Sequence, residues 1–113
     1  RDRFRPHNRL ITCAALSASE RRKAASIIGE KLMKSKGPTA FIMTHGGFDD
    51  WDREGEWAFD QNAINSFHEE MKNILKEPVK YYEIKQNINE PEFTNLALQI
   101  FDEWLDEGLI KIN

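Results

Sequence analysis

A histidine, two adjacent glycines and two carboxylates follow an apolar, β-branched run in the segment TAFIMTHGGFDDW, residues 39–51. Because glycine has no side chain, the backbone amides of Gly46 and Gly47 could approach a phosphate or a carboxylate closely. His45 and Asp49 could contact the same ligand, and an imidazole can also act as an acid or a base near neutral pH. The two glycines could instead serve only to form a tight turn, and this alternative stays open.

Two asparagines from distant parts of the chain could reach the same loop. Asn8 precedes the first predicted strand, and Asn89 stands at a predicted helix start, where backbone amides favour anions. The residues predicted to bind a ligand are therefore Thr44, His45, Gly46, Gly47, Asn8 and Asn89. The predicted ligand is a nucleotide or another small anion, and no catalytic residue is assigned.

The sequence gives little indication of a metal site. The three histidines, His7, His45 and His68, include no pair with the spacing of metal ligands. The acidic loop that begins at Asp50 imitates a calcium-binding loop, but its twelfth position is Gln61, where a bidentate glutamate is needed. We therefore predict no metal. The sequence also contains neither a Walker-type phosphate loop nor a glycine-flanked nucleophile.

The composition describes an ordinary globular chain of 113 residues with a net charge of −3. A chain without a general basic surface lacks the electrostatic attraction that nucleic-acid binding needs. No apolar run is long enough to span a bilayer, and the lone Cys13 fits a reducing compartment. We therefore expect a single cytoplasmic segment, residues 1–113, that binds neither nucleic acid nor membrane. Because the chain begins with Arg1 rather than Met, we also expect it to be part of a longer protein.

Three apolar segments predict strands. The first is Leu10–Ala15, in which Cys13 is expected to be a small buried residue, and the second starts at Thr39. The third is Val79–Ile84, which is rich in aromatic and β-branched residues. Each strand is followed by a helical pattern.

The three helices have clear start or stop signals. Ser17 and Glu20 form a capping-box pattern before the first helix, and Gly37-Pro38 ends that helix. The second helix ends before Pro78, and the third runs from the segment 89–92 to Gly108, with Asn89 as its expected cap. The apolar residues expected to face the core are Ala24, Ala25, Ile28 and Leu32 in the first helix and Ile64, Phe67, Met71, Ile74 and Leu75 in the second.

This order of elements predicts the α/β class. We expect a three-layer, Rossmann-like β-α-β-α-β-α segment whose small parallel sheet is covered by helices. A sheet of three strands is thin, so we expect it to complete a larger sheet. The other strands would come from a missing amino-terminal lobe or from a second subunit, for example in a homo-oligomer.

Several short motifs occur together in an order that resembles the Tm-one-like ATP-binding family, an uncharacterised protein family. The motifs are His7-Asn8, Gly29-Glu30-Lys31-Leu32, Gly37-Pro38, Gly46-Gly47-Phe48 with Asp52 and Gly55, Phe59-Asp60 and Ile88-Asn89-Glu90-Pro91-Glu92-Phe93. The resemblance covers nearly the whole chain. It implies the carboxyl-terminal part of a longer domain with two Rossmann-like lobes and ATP or a related nucleotide bound between them.

Three functions are therefore open from the sequence. The first is a ligand-binding module, with a nucleotide as the expected ligand. The second is an enzyme that acts on a nucleotide-linked or small acidic substrate with His45 as its acid or base, an alternative that rests on fold analogy. The third is a protein-interaction domain, with Trp51 and Trp57 as the expected contact residues.

Overall fold

The computed structural model describes residues 3–112, so Arg1, Asp2 and Asn113 of the predicted segment lie outside the described part. The α/β class is confirmed. None of the helices in residues 3–112 is both long enough and apolar enough to cross a membrane. In chain order the elements are β1 Phe4–Pro6, β2 Thr12–Ala14, α1 Ala18–Met33, β3 Ala40–Thr44, a 3₁₀ helix Asp50–Asp52, α2 Gln61–Ile74, β4 Lys80–Ile84 and α3 Pro91–Asp106.

The centre of the molecule is a parallel pair of strands, β3 and β4, in register from Ala40 opposite Lys80 to Thr44 opposite Ile84. Side chains alternate between the two faces of a strand, so the odd-numbered residues of both strands share one face. That face packs against α1 and α2, and the fully buried Met43 lies at its centre. The core residues are Ala25, Met43, Ile64, Phe67, Met71, Leu75 and Val79.

Helix α2 supplies three of these core residues, Ile64, Phe67 and Met71, as its apolar spacing predicts. Ile64 and Met71 are 0% exposed, and burial of one such side chain contributes about 1.5–3 kcal/mol. Helix α1 packs closely against α2 at small residues such as Gly29. A Cβ at this position would lie only 2.9 Å from Cγ2 of Ile74, so a larger residue would not fit without a shift. The expectation that Ile28 faces the core is wrong, since that side chain is 40% exposed.

The start of α1 confirms the predicted capping box. The hydroxyl of Ser17 accepts the Glu20 amide, and the Glu20 carboxylate accepts the Ser17 amide at 2.9 Å. Arg3 also donates to this carboxylate at 2.7 Å, which ties the amino-terminal segment to the helix. The Ser17 amide, followed by Arg3, lowers the pKa of Glu20 from 4.5 to about 2.

The first predicted strand does not join the parallel sheet, which corrects the three-stranded arrangement. Strand β2 pairs antiparallel with β1, with Arg5 opposite Cys13. The side-chain oxygen of Asn8 accepts the amides of Leu10 and Ile11 and so closes the turn of this hairpin. A short turn joins antiparallel neighbours, whereas a parallel partner needs a long crossover. Cys13 is accordingly half-buried in a hairpin and not in the core.

Helix α3 covers the other face of the parallel pair, and Ile100 is its buried residue. Pro91 occupies the first turn, where its missing amide is not needed. The predicted cap is wrong, because the capping position is Glu90, which makes no side-chain cap hydrogen bond. The helix ends at Asp106, just before Gly108 with its left-handed φ of 76°.

Candidate functional site

The carboxyl ends of β3 and β4 meet at one edge of the sheet, where open α/β sheets place their ligands. The loop after β3 spans residues 45–60 and the loop after β4 spans residues 85–90. Backbone hydrogen bonds join the two loops directly after the strands. The His45 amide donates to the Ile84 carbonyl at 2.9 Å, and the Gly46 amide donates to the Gln86 carbonyl at 3.2 Å.

We call residues 46–48 the glycine bend. The amide of Gly47 donates to the Thr44 carbonyl at 3.1 Å, and the amide of Phe48 donates to the Asp52 carboxylate at 3.0 Å. The buried hydroxyl of Thr44 donates to the Gly47 carbonyl at 3.0 Å. Every amide of the bend therefore has an acceptor within the protein.

Both glycines of the bend are required by the close approach of other backbone atoms. A Cβ on Gly46 would lie 2.5 Å from the amide nitrogen of Asn87. Gly47 has a φ of 114°, and a Cβ there would lie 1.9 Å from the carbonyl oxygen of Asp52. These contacts explain the two glycines as packing residues, the alternative that the sequence left open.

A buried ion pair fastens the loop after β3 to α1. The guanidinium of Arg21 meets the Asp52 carboxylate at 3.3 and 3.4 Å, and the two side chains are only 9% and 4% exposed. Asp52 thus serves the fold by holding Arg21 and the Phe48 amide together.

Asn89 lies at the same edge as the glycine bend, but its side chain is engaged. Its amide nitrogen donates to the Asp50 carboxylate at 3.0 Å, which links the loop after β4 to the loop after β3. Arg53 joins the network by donating to both Asp50 and Glu90. The hydrogen bond from Arg53, followed by the one from Asn89, lowers the pKa of Asp50 below its usual value.

The hairpin brings Asn8 near this edge without placing it beside the bend. The ring of His7 lies 5.8 Å from that of Trp51, and Arg5 lies over the same indole at 5.4 Å. No contact described for residues 3–112 joins Asn8 to the predicted site residues of β3 and the bend. Trp51 and Trp57, the predicted interaction residues, are half-buried and stack edge to face at 5.7 Å.

Three polar side chains from three elements converge beside the bend, and we call them the histidine cluster: His45, His68 and Glu83. His45 follows β3, His68 lies on α2 and Glu83 lies on β4. The Nε2–H of His45 donates to Oε1 of Glu83 at 2.9 Å, and Nε2 of His68 lies 3.5 Å from the same oxygen. The two imidazoles meet edge to face with their centroids 4.6 Å apart.

The environment of the histidine cluster shifts the protonation of its members. The hydrogen bond from His45 lowers the pKa of Glu83. Burial, and then the nearby charge of His45, lowers the pKa of His68 below 6.5. Nδ1 of His68 makes a 2.7 Å hydrogen bond with the hydroxyl of Tyr81, whose pKa is raised well above 10 because the group is buried. At neutral pH the cluster holds an ionised carboxylate and a neutral His68 ring.

Sequence reasoning missed two members of this cluster, His68 and Glu83, and also their neighbour Tyr81. The members of the cluster are far apart along the chain and show no metal-ligand spacing, but the ligand atoms of His45, His68 and Glu83 all lie within 4.8 Å of one another in space. A signal was present, because Tyr81 and Glu83 alternate on one face of a strand and His68 follows the buried Phe67 on the neighbouring helix. Two imidazoles and a carboxylate are a donor set that first-row metal ions accept.

Comparison with known proteins identifies relatives of this chain. The C-terminal domain of the uncharacterised protein family UPF0261 matches residues 1–105. A UPF0261 protein of Brucella melitensis is 38% identical over 111 residues, which are 97% of this chain and 27% of that protein. A UPF0261 protein of Clostridium tetani is 30% identical over 88 residues, 77% of this chain and 22% of that protein. The chain therefore spans about a quarter of the length of these relatives.

These matches correct the resemblance drawn from the short motifs. They indicate UPF0261 and not the Tm-one-like ATP-binding family. That resemblance therefore no longer supports an ATP site, and nucleotide binding stays a prediction. The motifs misled because turns and helix starts produce similar short patterns in many folds: Gly46-Gly47 forms a packed bend and Pro91 opens a helix. The chain belongs to the UPF0261 family, whose C-terminal domain it matches.

Proposed function

We propose that the carboxyl edge of β3 and β4 binds a small anionic ligand, with a nucleotide such as ATP as the first compound to test. The observation that carries the proposal is the side chain of His45, which is 28% exposed, lies where two parallel strands end and is oriented by Glu83. Ligands of open α/β sheets bind in this position because the loops that follow the strands form a crevice there.

Side chains, more than backbone amides, would make the contacts. Thr44 is 2% exposed, and the amides of Gly46 and Gly47 already have acceptors, so these three residues would shape the site. His45 and Asn89 keep side-chain surface at the same edge. Asn8 would take part only through the hairpin that rests on the loop after β3.

Isothermal titration of ATP and of inorganic phosphate into the protein tests this proposal. Loss of one hydrogen bond to a charged ligand costs about 1.5–3 kcal/mol, so His45→Gln should weaken binding by tenfold or more. His7→Gln is the matched control, because this exposed histidine lies in the hairpin. Equal affinity in the His45→Gln and unchanged proteins would contradict the proposal. Gly46→Val is a poor test, since its side chain would collide with Asn87.

A second candidate function is acid–base catalysis by His45. The hydrogen bond between Nε2–H of His45 and Glu83 favours it, because a carboxylate that holds one ring nitrogen fixes the tautomer and orientation of the imidazole. Nδ1 of His45 makes no hydrogen bond within residues 3–112 and could exchange a proton with a substrate. In an enzyme, His45→Ala should lower kcat more than it raises KM, whereas in a binding protein the nucleotide would stay intact.

A further part of the proposal concerns assembly into a larger sheet. An apolar groove of about 360 Å³ is lined by β3, by Phe48 and by Phe93, and no residue of β4 contributes to it. The groove therefore lies on the side of β3 away from β4, where another strand would pair. Because the matched part is only 27% of the Brucella melitensis relative, the proposed occupant is a strand from the remainder of such a protein.

Hydrogen exchange can test this assembly. In a full-length UPF0261 protein, the β3 amides that do not donate to β4 should exchange more slowly than in the 113-residue chain. Equal exchange in the two proteins would show that the edge of β3 stays unpaired.

A cytoplasmic location also stays a proposal, based on the lone Cys13.

A further inference from the structure

The histidine cluster offers one more function, because its three side chains present ligand atoms toward a common point. His45 directly follows β3, His68 lies on α2 and Glu83 lies on β4, so each residue is on or next to a regular element. Their side chains are 28%, 20% and 40% exposed. An ion could therefore enter from solvent, and the site would keep positions open for water or a ligand.

Two of the three separations between the ligand atoms match those around a small cation, and the third is at most 4.8 Å. Nitrogen and oxygen ligands that lie about 2.0–2.1 Å from a zinc-like ion are about 3 Å apart in octahedral and about 3.4 Å apart in tetrahedral geometry. Oε1 of Glu83 lies 2.9 Å from Nε2 of His45 and 3.5 Å from Nε2 of His68. Coordination through Nε2 of His45 would require the hydrogen that this atom now donates to Glu83 to move to Nδ1 of the same ring, by exchange with solvent.

Tyr81 prepares His68 for such a role. Metal-binding histidines almost always donate their other ring N–H to a nearby acceptor, which fixes the ring and directs the remaining lone pair at the ion. The hydroxyl oxygen of Tyr81 lies 2.7 Å from Nδ1 of His68 and can accept that hydrogen. In the tautomer that carries its hydrogen on Nδ1, the lone pair of His68 Nε2 lies on the side of Glu83, where the ion would bind.

We propose that His45, His68 and Glu83 form a site for a divalent first-row transition metal such as Zn²⁺ or Fe²⁺, with open coordination positions. Two imidazoles and one carboxylate suit these ions better than Mg²⁺ or Ca²⁺, which prefer oxygen ligands. The metal site goes beyond the anion binding proposed above and does not depend on it. When the metal is bound, its open positions, and not the ring of His45, meet any anionic ligand.

One neighbouring charge opposes the cation. Nζ of Lys72 lies 3.8 Å from Oε2 of Glu83, the carboxylate oxygen on the other side from the imidazoles. The Lys72 side chain is 62% exposed and can move into solvent when the ion arrives. Lys72→Gln should therefore raise the affinity for the metal by about two- to fivefold.

The experiment is titration of the untagged 113-residue chain with Zn²⁺, and with Co²⁺ as a spectroscopic probe. We expect one ion per chain and visible absorption bands from the bound Co²⁺. His68→Gln and the nearly isosteric Glu83→Gln should each weaken binding at least about a hundredfold, and Tyr81→Phe about tenfold. His7→Gln should bind as the unchanged chain does.

Circular dichroism confirms that each variant is folded before it is compared, and Glu83→Gln covers the case in which His68→Gln fails to fold. The absence of Co²⁺ bands and of Zn²⁺ binding by the unchanged chain would overturn the proposal. Binding that Glu83→Gln leaves unchanged would overturn it too, because the ion would then lie elsewhere. An effect of Tyr81→Phe on affinity without an effect on the melting temperature would support the positioning role of Tyr81.

Discussion

The glycine bend and the histidine cluster lie side by side at the carboxyl edge of β3 and β4, and they differ in how their polar atoms are used. In the bend, each amide has an acceptor inside the protein and both glycines touch backbone atoms of other segments. In the cluster, two imidazoles and a carboxylate stay partly open to solvent. The conspicuous glycines thus serve packing, whereas the partly exposed polar groups that could bind a ligand come from residues that are remote in sequence.

Substitution of Gly47 should give the largest effect. Gly47→Ala combines a left-handed φ of 114° with a Cβ 1.9 Å from the Asp52 carbonyl. Strain and overpacking together should lower the free energy of unfolding by roughly 3 kcal/mol or more, measured by urea denaturation. Gly37→Ala is the control, because a Cβ there meets no described atom within 4 Å. Equal stability of the two variants would show that the bend is not a packed element.

The second-largest loss of stability is expected when the buried ion pair between Arg21 and Asp52 is broken. Arg21→Met leaves the carboxylate of Asp52 buried without its guanidinium, which should cost about 3 kcal/mol of unfolding free energy in the same assay. Arg22→Met is a matched control one residue away, where the side chain is 45% exposed and pairs with Glu69 and Glu70. Its loss should cost less than about 1 kcal/mol. Similar losses for both variants would argue against a special role for the buried pair.

The histidine cluster should make the stability of the folded chain depend on pH through His68. Burial lowers the pKa of His68 in the folded chain below its unfolded value of 6.5, so the folded state favours the neutral ring. The resulting stability is fully present above pH 6.5 and is lost as the pH falls through the folded pKa. Proton NMR of the His68 ring should give a midpoint below 6.5. A midpoint at or above 6.5 would mean that solvent reaches the ring freely.

The smallest effect on stability is expected for the carboxylate of the cluster. Glu83→Gln removes an exposed charge and leaves a side chain of nearly the same shape, so the unfolding free energy should change by less than about 1 kcal/mol. The same substitution should weaken metal binding at least about a hundredfold. The two measurements together, unfolding free energy and metal affinity, distinguish a binding role of Glu83 from a structural one. A large loss of stability would show that Glu83 is a structural residue.

Local signals made much of the fold predictable. The capping box at Ser17 and Glu20 fixed the start of α1, and Ile64, Phe67 and Met71 marked the buried face of α2. These predictions succeed because caps and apolar periodicity act within a few residues. Asp60, which caps α2 by accepting the Ala63 amide, belongs to the same class of local signal.

Other elements were decided by partners that are distant in the chain. Leu10–Ala15 has the composition of a buried strand, yet β2 pairs with β1 because the turn at Asn8 brings the two together. Ile28 fits a helical stripe, but the side of α1 that α2 covers is the one with Ala25 and Gly29. The pattern of a single segment does not specify which neighbour will cover it.

The sequence by itself determined the α/β class, the three helices, the two parallel strands and the location of an unusual loop after β3. Only the tertiary structure decided that backbone atoms of other residues occupy the space beside the two glycines of this loop. It also decided that His45 lies next to His68 and Glu83. The physical reason is the separation along the chain over which each kind of interaction acts. Helix caps, turns and periodicity depend on near neighbours along the chain, whereas a cluster of side chains depends on how separate elements pack, and that packing is specified by all of them together.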